Sequence, residues 1–166
     1  MTTLNINGKQ HDIDVKPDRT LADVLRNELG LIGVRVSCSE GECGSCTILI
    51  DGKPTTSCLV LVNQVEGKDV VTIEGIAKPG ELHPIQQAFV EEQGFQCAFC
   101  TPGFIMSAKA FLEENPNPTA DEVAVGMSGN ICRCGAYPYI VKAVLSAAEK
   151  LRDGQSNMSA AERITT

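Results

Sequence analysis

Tryptophan is absent from this 166-residue chain, and aromatic residues make up only 4% of it. A surface that stacks nucleobases needs aromatic faces in series, so single-stranded nucleic acid is excluded as a partner. There is also no block of lysine or arginine, and the net charge is −7. Duplex binding needs a basic surface to neutralise phosphates, so double-stranded nucleic acid is excluded too. No apolar run approaches the roughly 18 residues that would suggest a membrane span. Residues 1–7 show no basic stretch leading into an apolar run, so no secretory signal is expected and the expected location is the cytoplasm. The two histidines, His11 and His83, fall in strand and linker contexts with no nucleophile–base pattern nearby. No catalytic residue is expected on this chain.

What the chain does have is cysteine, eight of them, in two groups of four. The first group is Cys38-x4-Cys43-x2-Cys46-x11-Cys58. The second is Cys97-x2-Cys100 followed, after 31 residues, by Cys132-x1-Cys134. Four thiolates complete a [2Fe–2S] cluster, two on each iron, and Cys-x4-Cys-x2-Cys is the plant-type ferredoxin opening. No cysteine is left over. A second cluster in a small chain is useful mainly when electrons must cross the protein. A disulfide framework fits poorly, because it needs an oxidising compartment and such scaffolds are shorter and richer in cysteine. Zinc is the stronger rival, since paired Cys-x-x-Cys is how zinc ribbons read. Against it, Cys38, Cys43 and Cys46 place three ligands within nine residues.

The chain is long enough for one domain or two small ones. Residues 3–6 alternate polar and apolar, Asn7-Gly8 is a type I′ hairpin turn, and residues 11–15 alternate again. Thr20 caps a helix whose apolar face is Leu21, Val24, Leu25 and Leu29, with Asp23 in the first turn and Gly30 at the end. Strands follow at 47–50, after an Asp51-Gly52 turn as far as Cys58, and at 69–73. This first part reads as a β-grasp domain over residues 1–76. Ala77-Lys78-Pro79-Gly80 reads as a linker. A helical domain is then expected over 77–152, with helices at 84–93, from Pro102 (capped by Thr101) to Asn115, after the Thr119–Glu122 capping box, and from Pro138 to Arg152. Residues 153–166 read as a tail or a strap across a partner. Two helix–cysteine loop–helix hairpins, packed as a four-helix bundle, would bring both loops to one end. The fold class is therefore α+β.

Gly41, Gly44 and Gly103 lie beside the cysteines, where glycine lets a loop wrap closely and aim N–H groups at sulfur. Arg133, between two cysteines, either offsets cluster charge or meets a partner's acid, or else is a solvated side chain, and the two readings carry equal weight.

Three motifs now stand together: Cys38-Ser-Glu-Gly-Glu-Cys43-Gly-Ser-Cys46, Gln96-Cys97-Ala-Phe-Cys100-Thr-Pro-Gly103 and Gly129-Asn-Ile-Cys132-Arg-Cys134. In this order, and across roughly residues 3–150, they resemble the iron–sulfur subunit of the molybdenum hydroxylases, the xanthine dehydrogenase and aldehyde oxidoreductase family. The short spacing before Cys58 fits that family better than free plant ferredoxins. The resemblance implies an outer cluster on Cys38, Cys43, Cys46 and Cys58 and an inner one on Cys97, Cys100, Cys132 and Cys134. It also implies that Gln96 and Cys134 contact the pterin of a molybdenum cofactor held by a large partner subunit. A glutamine amide both donates and accepts, which suits a pterin edge. A medium subunit would carry FAD. The chain would then relay electrons from the molybdenum site to FAD or another acceptor, with no substrate chemistry of its own. Cys134-Gly-Ala-Tyr137 resembles members acting on aldehydes or N-heteroaromatic rings, with aldehydes favoured. Ala98 departs from the glycine usual there. The rival readings are a free two-cluster ferredoxin-type carrier and a zinc-binding structural module.

Overall fold

The computed structural model describes residues 2–162, with side chains described as far as Gly154. The first half is a five-stranded mixed sheet in the order β2-β1-β5-β3-β4. Its strands are β1 (Thr2–Ile6), β2 (Lys9–Ile13), β3 (Thr47–Ile50), β4 (Lys53–Thr56) and β5 (Asp69–Val71). β1 and β5 pair in parallel, and the remaining pairs are antiparallel. Both hairpins turn where left-handed backbone is cheap, at Asn7-Gly8 (φ 52° and 73°) and Asp51-Gly52 (φ 50° and 78°).

Helix α1 (Leu21–Asn27) lies across one face of the sheet. Thr20 caps it by accepting from the Asp23 N–H at 3.3 Å. Leu21, Val24 and Leu25 pack with Leu4, Ile6, Ile48 and Val70 in the first core. The helix stops at Asn27, before Leu29 and Gly30, and Leu29 packs on the core from the loop beyond.

Every residue of β3 is buried, and its sequence, Thr-Ile-Leu-Ile, lacks the polar alternation of a half-exposed strand. The reason is that both faces are covered. Ile48 and Ile50 point towards α1, while Leu49 meets Met106 and Ala110 of a later helix.

Several strands are shorter than the alternation suggested. β2 ends at Ile13, with Val15 packing from outside it. β4 ends at Thr56, because the Ser57 hydroxyl and N–H both donate to the Cys46 carbonyl (2.7 and 3.3 Å) and turn the chain. β5 ends at Val71, because Thr72 turns off to bond Asn7 through both its backbone N–H and its hydroxyl. Glu74 then accepts from the Gly33 N–H at 2.7 Å and ties the connector to the loop before Cys38.

The second half is helical: α2 (Pro84–Glu91), α3 (Thr101–Glu114), α4 (Ala120–Gly126) and α5 (Tyr137–Glu162). Its core contains Ile85, Phe89, Phe104, Ala108, Ile140, Ala143 and Val144. Thr119 and Glu122 form the reciprocal capping box of α4. α2 is capped by His83, whose Nδ1 accepts from the Ile85 N–H at 3.2 Å. The start of α3 differs from the expectation. Thr101 is its first residue and Cys100 its cap, with no side-chain capping bond. The backbone of Cys100 is itself near-helical (φ −82°, ψ −13°), so the helix begins one residue early. α5 runs on past Arg152 to Glu162. Residues 163–166 of the expected tail lie outside the described residues. Among the described residues no helix is long and apolar enough to cross a membrane.

Candidate metal centres

The loop after α1 winds back on itself through three left-handed positions, Ser39 (φ 59°), Gly41 (φ 80°) and Gly44 (φ 67°). The winding turns N–H groups inward. Glu40 donates to Cys38 Sγ at 3.4 Å, the N–H groups of Cys43 and Glu42 also reach Cys38, and that of Gly41 reaches Cys58. Within the group the sulfurs pair, Cys38 with Cys43 and Cys46 with Cys58. The 3-10 turn at Ser57–Leu59 carries Cys58 back beside Cys46.

The second group assembles from two loops. Cys97 and Cys100 join α2 to α3, while Cys132 and Cys134 join α4 to α5. Here Cys97 pairs with Cys134, and Cys100 with Cys132. Backbone again supplies donors, with the Ala136 N–H 3.4 Å from Cys132 Sγ and the Phe99 N–H on Cys97.

Environment divides the thiols. The N–H of Glu40, helped by those of Cys43 and Glu42, draws Cys38 down to about 7, and the Phe99 N–H lowers Cys97. At Cys132 burial pushes upward, but the Ala136 N–H, the Cys100 thiol and further backbone donors outweigh it and leave the thiol low. Burial pushes Cys58 up to about 11 and Cys100 up to about 12. Metal ligands must be thiolates, so loading either group releases protons from its buried members.

The donor set can be tested against a guest. Among the described residues no three Cys, His, Asp or Glu side chains converge as a single-ion site requires. A tetrahedral zinc would draw four sulfurs to about 2.3 Å from one point. Two pairs of sulfurs, with N–H groups aimed at them, suit two irons carrying two thiolates each. The residues fit a [2Fe–2S] group in both places.

The two loops touch through backbone. Ile131 N–H donates to the carbonyl of Cys43 at 3.0 Å, so one hydrogen bond separates a member of the first group from the neighbour of Cys132. The next carbonyl, that of Gly44, accepts from the buried Asn130 amide (2.9 Å), the Thr47 hydroxyl (2.7 Å) and the Thr47 N–H (3.1 Å). Gly103 lies against the same spot, where a Cβ would fall 2.2 Å from Gly44 O. Gly103 is therefore required by close approach between the halves. Gly41 faces Leu59, at the end of the 3-10 turn that carries Cys58.

Gln96 is exposed beside the second group, Cys134 is half-buried and Arg133 is exposed. Ala98 holds a left-handed φ of 61°. Sequence reasoning missed Tyr137 as a structural residue. Its hydroxyl accepts from the Cys132 N–H at 2.9 Å, and its ring stands edge-on to Phe104 with centroids 6.4 Å apart. It also missed Arg35, whose guanidinium lies 5.9 Å from the ring centre of Phe99.

A ferredoxin-like sheet and a helical domain, each with paired thiols suited to two irons, define a two-cluster iron–sulfur protein of electron transfer. The "2Fe-2S iron-sulfur cluster binding domain" family matches residues 4–72, and the "[2Fe-2S] binding domain" family matches residues 72–145. The chain is 46% identical over 147 residues to the nicotinate dehydrogenase small FeS subunit of Eubacterium barkeri, covering 89% of this chain and 94% of that one. It is 42% identical over 165 residues to the aldehyde oxidoreductase iron-sulfur-binding subunit PaoA of Escherichia coli K12, covering 90% and 72%. The structure of quinoline 2-oxidoreductase from Pseudomonas putida 86 superposes with a TM-score of 0.87 at 44% identity, over 92% of this chain and 96% of that chain. The chain belongs to the iron–sulfur subunits of the molybdenum hydroxylase family.

Proposed function

We propose that this chain relays electrons from a molybdopterin site on a large partner subunit to FAD on a medium subunit. Cys97, Cys100, Cys132 and Cys134 hold the inner cluster. Cys38, Cys43, Cys46 and Cys58 hold the outer one. Bound there, each cluster takes up and gives back one electron at a time. The chain's own residues do the rest. The thiolates fix the groups, the N–H donors of Glu40, Gly41, Phe99 and Ala136 offset negative charge at sulfur, and the two cores keep water from the buried ligands. Gln96 and Cys134 form the pterin-facing edge, a reading supported by the exposure of Gln96 beside the inner loop. The units are residues 1–76 and 77–152, followed by a C-terminal segment from 153, and the location is the cytoplasm.

The observation that carries the reading is the junction between the loops. The Cys43 carbonyl bonds the Ile131 N–H, and Asn130 bonds the Gly44 carbonyl, so the two groups are held at one fixed separation, as a relay needs. The substrate of the whole enzyme is an aldehyde or an N-heteroaromatic ring. Nicotinate and quinoline enzymes among the relatives add weight to the ring, and the aldehyde oxidoreductases to the aldehyde.

Purification from the native host tests this. The chain should arrive with a molybdenum-bearing partner, carry about four irons and four labile sulfides, and give two reduced signals by electron paramagnetic resonance. Recovery as a lone monomer would favour a free ferredoxin-type carrier. A colourless chain with stoichiometric zinc would favour a structural zinc module. Cys43→Ser separates the two sites, because alkoxide is a poorer iron ligand than thiolate. Substrate should still reduce the inner signal while transfer to the final acceptor collapses.

A further inference from the structure

Among the described residues, two buried side-chain polar atoms have no hydrogen-bond partner, Thr101 Oγ1 and Arg35 Nε. Both border the same loop. Thr101 directly follows Cys100, is 9% exposed, and heads α3 without taking part in a cap. Arg35 comes from the other half of the chain and lies over Phe99, between Cys97 and Cys100. A buried hydroxyl with no protein partner is a standing penalty, and an orphan of this kind calls for a partner such as a redox group or an ion. One backbone donor in the vicinity is already committed elsewhere, since the Cys132 N–H goes to Tyr137.

We propose that Thr101 and Arg35 are the side-chain donors of the inner cluster. The Thr101 hydroxyl hydrogen-bonds a sulfur of the group held by Cys97, Cys100, Cys132 and Cys134, and Arg35 supplies positive charge from across the boundary between the halves. Sulfur gains negative charge when the cluster takes up its electron, so both contacts strengthen in the reduced form and raise the reduction potential. Neither residue gains or loses a proton in that step. The effect is selective for the inner cluster, which is the one that receives electrons first. The assignment rests on the inner cluster of the proposed function.

The test is a redox titration of the intact complex followed by electron paramagnetic resonance, with Thr101→Val, Thr101→Ser and Arg35→Gln. In Thr101→Val the reduction equilibrium of the inner signal should fall three- to tenfold, which is about 30–60 mV at 59 mV per tenfold for one electron. The outer signal should stay in place, and Thr101→Ser should titrate like the parent. The parent in D2O should lose a proton coupling on the inner signal that Thr101→Val lacks from the start. Arg35→Gln should lower the inner potential in the same direction. An unshifted inner potential in Thr101→Val, with no change in that coupling, overturns the proposal. Should Val prevent cluster retention, an unshifted inner potential in Arg35→Gln overturns it. Two irons per parent chain and a single reduced signal would instead refute the two-cluster reading beneath it.

Discussion

Ala98 is a residue whose replacement by glycine should make the protein more robust. It sits between two cysteines with φ 61°, a left-handed conformation in which Cβ crowds the following carbonyl. That crowding costs about 1–2 kcal/mol for a residue other than glycine. Glycine removes it but widens the unfolded ensemble, which gives back about 0.4–1 kcal/mol. The methyl is exposed, so its loss forfeits no packing that would tilt the balance. With the middle of each range, the net gain is about 0.8 kcal/mol. For a chain of this size that raises the midpoint of thermal unfolding by about 1–4 °C. The assay is the loss of visible absorbance on heating the intact complex, followed beside far-ultraviolet circular dichroism. Ala98→Gly should bleach later than the parent. Ala98→Val should bleach earlier, because a β-branched residue tolerates positive φ least. If glycine gives no gain and valine no loss, the loop does not hold this conformation in solution and the reasoning fails.

Gly103→Ala would drive a methyl into the Gly44 carbonyl, where both neighbours are backbone and cannot swing away. We expect a loss of about 1–3 kcal/mol and faster proteolysis between the two halves; unchanged proteolysis would contradict the close approach. His83 is held below its ordinary pKa by burial first and Lys109 second, with Glu113 opposing. Above pH 6.5 both folded and unfolded forms are neutral and the cap on α2 is intact. As the pH falls through that value towards the folded pKa, the unfolded chain protonates first and stability drops across that window. Melting curves from pH 7 to 5 should show this slope in the parent and not in His83→Asn, whose amide caps at every pH. Gln96→Ala should keep both clusters, with slower electron entry or looser cofactor retention, since a pterin hydrogen bond is worth roughly 1 kcal/mol when buried. Full molybdenum occupancy and an unchanged rate of cluster reduction by substrate would remove Gln96 from the pterin edge.

What could be read in advance was local. Asn7-Gly8, the Thr119–Glu122 box and the Thr20 cap of α1 each specify their geometry within a few residues, and each occurs in the structure. The cysteine spacings carry their chemistry in the same way. What escaped was long-range. Asn130 and Gly44 are 86 positions apart, and nothing in either neighbourhood announces that an amide will meet that carbonyl. Arg35 and Phe99 belong to different halves. Tyr137 is local, five positions from Cys132, but no periodicity or capping pattern marks a hydroxyl that reaches back over the turn at Gly135. Thr101 was misread for a different reason. Threonine before Pro102 is a good cap by composition, yet the near-helical backbone of Cys100 takes that position and leaves the hydroxyl buried without a hydrogen-bond partner.

Leu49 has a consequence for how such a chain can be divided or recombined. It projects from β3 away from α1, and its cover is Met106 and Ala110 of α3. The two family matches meet at residue 72, which invites the idea of separable parts. A cut there would leave the sheet with a naked Leu49 and the helices with a naked Met106, each an apolar surface open to self-association. Either part expressed by itself should therefore self-associate. A swap between relatives has to carry both sides of the Leu49–Met106 contact together.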